Sequence, residues 1–579
     1  MTEPSFSKAA AGPKFGSGLN HLVFWPPFLL LIGAIILNFA APDKTIESSI
    51  VAPNGDIEYK TTIVQGKFSE TVTGANGWIL ENFGWLFSSC AFLAVMLCIL
   101  ICATCFWRSG FGNVRIGGSQ AKPLMSMWNW FSITICTTIA IGILFWSTAE
   151  PISHLIKPPE FSGAQPNSHQ AARFALSTMY LHWSFTPYSL YCVASLMFAF
   201  AYYNMKKPFS LGSTVAPLFG DWANGKGGYI IDAVCLYSLV AGMAAALGSG
   251  ILMLNGGMHD LWDVPNKDRW VLGAIALAIV ATFIISSSTG LMKGIRILSD
   301  INTKLLFCLA LVPLIFGPTI FILSLGAESL LDYVVDFFPR NLTMTQTENG
   351  STSILVPDEW GKGWTVFYWA VWMAWAPITA CFLGRIAYGR TVREFMLINF
   401  IFPSLFAIAW MTIFSGTAIH QQMEFVANPE GAGAADLATV LNNLGEESVS
   451  FAVFKQFPLA TGLIIFYMFS SFVCFVTSSD SNMSAMASIS STGISPENPE
   501  GPKWLKIVWG ISVGLIAWIM ICFAGGVEGV KMLSNLGGFP AALLELLIIA
   551  ALLRVVLFHK SLNLIDRQDG KKARNELTK

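Results

Sequence analysis

Two short stretches hold residues whose types and spacing could do chemistry. In "LHWSFTPYSLYC" (181–192), Trp183, Tyr188 and Tyr191 fall within about 140° of one helix face at ~100° per residue. Pro187 stands among them and loosens the local hydrogen-bond ladder. In "FYWAVWMAWAP" (367–377), Trp372 and Trp375 are i, i+3 neighbours on one face, just ahead of Pro377. Aromatic ring faces are electron-rich. Two such faces turned towards each other would hold a cation that has no hydrogen-bond donors to satisfy, such as a quaternary ammonium. For most of the 20 tryptophans the competing reading, an interfacial belt or ordinary packing, is the better one. It is weaker here because these rings lie mid-span beside helix breaks. Trp369 is read as packing.

A third stretch, "FVTSSDSN" (475–482), could offer oxygen to a small hard cation through Thr477, Ser478 and Ser479, with unwound backbone carbonyls nearby. Helix-end capping by the same residues is an equally good reading. Asp480 reads as a cap or packing anchor rather than an ion ligand. Charge is nearly absent inside the apolar runs. The ionisable candidates reduce to Glu150 and Asp480 at span ends and His182 beside the aromatic face, where a structural histidine is the expectation. The lack of an obvious buried acid argues against a proton as coupling ion. Phosphate-binding glycine loops, zinc-protease signatures and nucleophile elbows are all missing from the sequence. No catalytic residues and no cofactor are expected, and the protein is not read as an enzyme.

Long helices must position these residues. The 579-residue chain is 54% hydrophobic and 12% charged, with mean hydropathy +0.59. A soluble domain carries about twice that charge fraction, and many runs here are long enough to cross a bilayer as helices. The chain therefore reads as an all-α polytopic membrane protein. Twelve spans are expected near 22–41, 78–106, 127–148, 171–203, 229–258, 270–290, 303–325, 364–384, 395–417, 457–479, 504–525 and 535–558. Residues 1–21 form an N-terminal segment, 22–558 the transmembrane domain and 559–579 a basic tail. Most of the 34 lysines and arginines fall on the side of the termini, which places both termini in the cytoplasm. A net charge of −1 argues against nucleic acid as a partner; the lipid bilayer is the expected one. The third span carries "TTIAIGILFWSTAEP" and the eighth "WAVWMAWAP". Each is aromatic, interrupted by small residues and closed by proline. Paired interrupted helices point to a transporter's central site, with spans 3–7 and 8–12 as the two halves.

These stretches together resemble the betaine/carnitine/choline transporter family. The match is carried by "GWTVFYWAVWMAWAP" (363–377), "STAEP" (147–151), "HWSFTPY" (182–188), "GLMKGIRILSDIN" (290–302), "GRIAYGRTVREF" (384–395) and "FVTSSDS" (475–481), in the family's order. The resemblance implies a leucine-transporter-type inverted repeat preceded by two extra helices, a homotrimer, and a bacterial inner-membrane location. It implies ion-coupled import of an onium compound such as choline, glycine betaine or carnitine. Trp183, Tyr188, Tyr191 and Trp372 would form the aromatic box, and Trp375 would line the cytoplasmic side of the path. Thr477 and Ser478 would bind sodium, with backbone carbonyls near Cys136 and Ile139. Departures from the pattern are informative. Val371 stands where a tryptophan is frequent, Tyr188 replaces a frequent Trp, and Gly142 alone remains of a Gly-x-Gly-x-Gly run. The family's second sodium site falls on Leu239, Met243 and Ile378, which offer no hard oxygen. The alternatives are a sodium-coupled amino-acid transporter of similar fold and a sodium-independent organic-cation exchanger.

Overall fold

The computed structural model describes residues 18–558 except 41–43, 52–56, 65–66, 106–109, 139–141, 289–290, 343–344, 347–351, 354–357, 432, 496–497 and 499. The expected tail 559–579 and most of the expected segment 1–21 lie outside the described residues. α1 (His21–Ala40) leads to an antiparallel pair, β1 (Lys44–Val51) and β2 (Ile57–Val64), with Lys44 opposite Val64 and Val51 opposite Ile57. Hydropathy reading missed this pair. The signal was Asn54-Gly55 between two runs rich in Ile, Val and Thr, a strong hairpin sequence. α2 (Lys67–Cys105) follows.

The third span is broken. α3 (Met127–Thr138) and α4 (Gly142–Ile156) meet at 55°. The fourth is α5 (His169–Trp183) and α6 (Phe185–Ala199), bent at Ser184, whose φ −114° and ψ −120° leave the helical region. After the single turn α7 (Ala216–Phe219) come α8 (Lys226–Trp262), α9 (Arg269–Ser288) and α10 (Leu291–Phe316). The expected span 303–325 is corrected here. Pro318 has no N–H to continue a helix and restricts Gly317 before it, so the chain stops at Phe316 and restarts as α11 (Thr319–Val335), then α12 (Phe337–Asn341).

A second short strand pair, β3 (Thr345–Gln346) with β4 (Thr352–Ser353), precedes α13 (Glu359–Gly361). A π turn over Lys362–Val366 joins α13 to α14 (Phe367–Ile386). α15 (Val392–Met396) starts with a capping box, Thr391 with Glu394, and runs through another π turn into α16 (Phe402–Ala427), about ten residues past the expected end at 417. α17 (Leu437–Leu444) and α18 (Glu446–Lys455) lead to α19 (Ala460–Ile489), α20 (Lys503–Phe523) and α21 (Val527–Phe558).

Among the described residues ten helices are long and apolar enough to cross a membrane, and the bent pair α3–α4 makes an eleventh. The twelve-span count rests on α1 as well, whose described apolar part, His21–Leu37, is shorter. The two-halves expectation is visible in the packing. α6 packs on α14 as α16 packs on α4; α10 lies on α3 as α21 lies on α14; α9 meets α19 as α20 meets α8. Each pairing repeats five spans later. An odd offset reverses the direction of a helix in the bilayer, so the halves are an inverted repeat. Glycines permit the closest approach at its centre: a Cβ on Gly538 of α21 would lie 2.4 Å from the Ala370 carbonyl oxygen of α14.

Candidate functional site: an aromatic box seated on a buried carboxylate

The bend in α5–α6 creates the first half of the site. Pro187 and Ser184 deprive the last carbonyls of α5 of ladder partners. The Trp372 ring N–H takes one of them, donating to the His182 carbonyl at 3.1 Å. This ties α14 to the bend and centres Trp372 among three rings. Centroid separations from Trp372 are 5.6 Å to Trp183, 5.6 Å to Tyr188 and 5.2 Å to Tyr191, at interplanar angles of 77°, 56° and 62°. All four rings are buried, with Trp183 at 5% exposure and Trp372 at 4%. The structure thus brings together the four residues expected to form a box. Gly142 helps seat it: a Cβ there would stand 3.0 Å from the tip of the Trp183 indole.

Trp375 stands apart, packed against Gly242 of α8, where a Cβ would lie 3.0 Å from its ring. Leu239 and Met243 flank that glycine on α8 and are fully buried, as is Ile378 on α14. These three side chains are therefore buried and offer no oxygen ligand.

Beneath the box lies a group that sequence reasoning undervalued. Glu150 of α4 is fully buried, not at a span end, and its carboxylate accepts four donors. Oε1 faces His182 Nδ1 at 2.6 Å and His154 Nε2 at 3.3 Å. Oε2 accepts from the Tyr368 hydroxyl at 2.5 Å and from the Trp183 indole N–H at 3.2 Å. A box ring is therefore hydrogen-bonded to a carboxylate. His182 Nε2 meets Thr365 Oγ1 at 3.0 Å, and the imidazole stacks on Tyr368 with centroids 4.6 Å apart. The expectation that no buried acid exists is corrected by Glu150, and again by Glu545 of α21, which is also fully buried. The missed signal was spacing: Glu150 and His154 are i, i+4 on α4, and His182 adjoins Trp183.

Beside this cluster, away from the box, opens a cavity of about 890 Å³, with Phe174, Arg340, Trp360 and Thr365 among its lining residues. Arg340 donates to Ser177 Oγ at 2.8 Å and to Thr178, and its guanidinium lies 4.8 Å from the Phe174 ring centroid. Burial pushes the Arg340 pKa down to about 10.

The hydroxyl stretch sits on the other side of the helix break. Ser478 donates to the Thr137 carbonyl of α3 at 3.1 Å, and Thr137 donates to Ser481 at 3.1 Å. Thr477 turns into its own helix, donating to the carbonyls of Val473 and Cys474 at 3.0 and 2.9 Å. Asp480 accepts from Ser286 of α9 at 2.8 Å. The Cys136 thiol points away from this stretch, donating to the Ser299 carbonyl of α10 at 3.4 Å. Ile139 lies outside the described residues. The structure thus brings Ser478 to the end of α3 and leaves Thr477 bonded within α19.

The family model described as "BCCT, betaine/carnitine/choline family transporter" matches residues 59–560. The ectoine/hydroxyectoine transporter of Virgibacillus pantothenticus is 31% identical, over 82% of this chain and 89% of its own. The high-affinity choline transport protein of Escherichia coli K12 is 30% identical, over 87% and 70%. The glycine betaine transporter OpuD of Bacillus subtilis is 29% identical, over 92% and 94%. Among solved structures, a substrate-bound, outward-open Na+-coupled sialic acid symporter aligns at TM-score 0.45 and 15% identity, over 80% of this chain and 86% of that one. That likeness is too remote to assign a site. By a match spanning most of its length, the chain belongs to the betaine/carnitine/choline transporter family.

Proposed function

We propose that the protein imports a quaternary-ammonium or related onium compound, with Trp183, Tyr188, Tyr191 and Trp372 as its cation–π box. The observation that carries this reading is the convergence of three buried rings on Trp372, one of them held by a carboxylate. A trimethylammonium group has no N–H to donate, so its affinity comes from ring faces and nearby negative charge rather than from hydrogen bonds. A desolvated cation–π contact contributes ~2 kcal/mol or more, equivalent to about thirtyfold in affinity. The relatives named for choline, glycine betaine and ectoine transport support import of compact, cationic or zwitterionic solutes.

Trp375 lines the onward path beside Gly242. Sodium is the candidate coupling ion, held by Ser478 and Thr477 near the end of α3. Thr477 donates its hydroxyl proton within α19, which leaves its oxygen lone pairs to face a cation. Both termini face the cytoplasm, as the lysine and arginine asymmetry requires, the membrane is the bacterial inner membrane, and the protein assembles as a homotrimer.

The deciding experiment is uptake into proteoliposomes of choline and of its neutral tert-butyl analogue, 3,3-dimethylbutan-1-ol. Choline should be taken up and should bind at least about thirtyfold more tightly. Trp372→Leu should abolish uptake while the protein still inserts. Equal affinity for the two compounds would refute the box. Competition by unmodified amino acids would favour a sodium-coupled amino-acid transporter instead.

A further inference from the structure

The carboxylate beneath the box has four donors, and the two imidazoles among them are not equivalent. His154 is fixed on both sides: Nε2 faces Glu150, and Nδ1 accepts from the Trp360 indole N–H at 3.4 Å. With Nδ1 serving as an acceptor, His154 is neutral with its proton on Nε2. His182 is fixed on one side only. Nδ1–H donates to Glu150, whereas Nε2 meets the Thr365 hydroxyl, which can rotate to donate or to accept. His182 can therefore gain a proton on Nε2 without breaking any bond in the cluster. Thr365 lines the large cavity, and His169, another lining residue, has a side chain 55% exposed. Thr365 is itself fully buried, so a proton passes between the cavity and His182 Nε2 when water moves in to reach its hydroxyl.

We propose that His182 holds an exchangeable proton, and that binding of an onium cation in the box expels it. The reason is electrostatic. With His182 neutral, the Glu150–His154–His182 cluster carries one negative charge. Trp183, bonded to that carboxylate, separates it from the box by a single indole ring. With His182 protonated the cluster is neutral, and the cation loses its counter-charge. Tyr368 of α14 faces the same carboxylate through its hydroxyl, Arg340 of α12 is the basic side chain acting on both imidazoles, and Lys531 of α21 acts on His154. Tyr368 also stacks on His182 and meets the Trp183 ring edge-on with centroids 5.3 Å apart, so a neutral phenol lies between the imidazole and the box. Linkage is reciprocal: a proton that weakens onium binding is released by onium binding to the same degree. No bond is made or broken in the solute. The proton moves from Nε2 through Thr365 to water in the cavity.

This inference rests on the onium reading, so its test separates the two. Full-length protein in lipid nanodiscs is titrated calorimetrically with choline, a permanent cation, from pH 4.5 to 8.5. Each pH is measured in two buffers of different ionisation enthalpy, which counts protons released. Affinity should rise with pH by about tenfold or more between plateaus, with release of a fraction of a proton at intermediate pH. His182→Asn keeps a donor near Glu150 but cannot take the proton, and should flatten the pH profile at the tight plateau. Glu150→Gln should give weak binding at every pH. A pH-independent wild-type affinity, or net proton uptake, would overturn the inference while leaving the onium reading intact. Absence of choline binding at every pH would overturn both. The wild-type proton count decides the matter even where a variant does not fold.

Discussion

The broken third span separates two buried polar regions built on opposite principles. On its α4 side, a carboxylate gathers four donors from three helices and holds the Trp183 ring. On its α3 side, hydroxyls of α19 bond to their own helix and to the hydroxyl and carbonyl of Thr137 at the end of α3. The first region is organised by a charge, whose desolvation is offset only while its donors stay in place. The second is held mainly by neutral hydroxyls, with the Asp480 carboxylate bonded to Ser286 at its edge, and each neutral bond contributes only about 1 kcal/mol net. A single charge makes a region brittle and positions rings closely, whereas a hydroxyl ladder tolerates loss and can be re-formed around an ion.

Three substitutions would break or sharpen that contrast. The largest effect is expected from Glu150→Ala, which strands four buried donors at once. Thermal unfolding in detergent should show a loss of about 3–5 kcal/mol, and a loss below 1 kcal/mol would mean that the cluster is not organised by its charge. Next comes Gly142→Val. A Cβ there already stands 3.0 Å from Trp183, so the ring must shift. Choline affinity should fall roughly tenfold, on the order of 1.4 kcal/mol, with little change in unfolding temperature. The smallest effect is expected from Ser478→Ala, with a stability loss of about 0.5–1.5 kcal/mol. Sodium stimulation of uptake should fall more than uptake in sodium-free buffer. A Ser478→Ala stability loss as large as that of Glu150→Ala would erase the distinction between the regions.

Much of this was legible in the chain. Apolar runs of bilayer length marked the spans, because hydropathy over about 20 residues directly reports membrane crossing. Pro187 between Trp183 and Tyr188, and Gly142 after Thr138, marked where helices break, because backbone geometry is a local property. Trp372, three residues before Trp375, marked a shared face. Span ends were less legible. Hydropathy counted α10 and part of α11 as one run, and only the Gly317-Pro318 pair divides them. Polar partners were the least legible. Glu150 and Tyr368 are 218 residues apart, and Glu150 and His182 are 32 apart. Sequence fixes neither distance, since no local rule relates residues on different helices.

By itself, then, the sequence determined the helical membrane class and which aromatic residues share helix faces, for which side-chain chemistry and helical periodicity are sufficient; reading Leu239, Met243 and Ile378 as a lost ion site also needed the resemblance to the family. Only the tertiary structure decided that the four rings meet at Trp372, that Ser478 reaches α3 while Thr477 turns inward, and that Glu150 lies under the box rather than at a span end. Those facts depend on how helices distant in the chain pack together, and on the low dielectric between them, where one unmatched charge would be far more costly than in water.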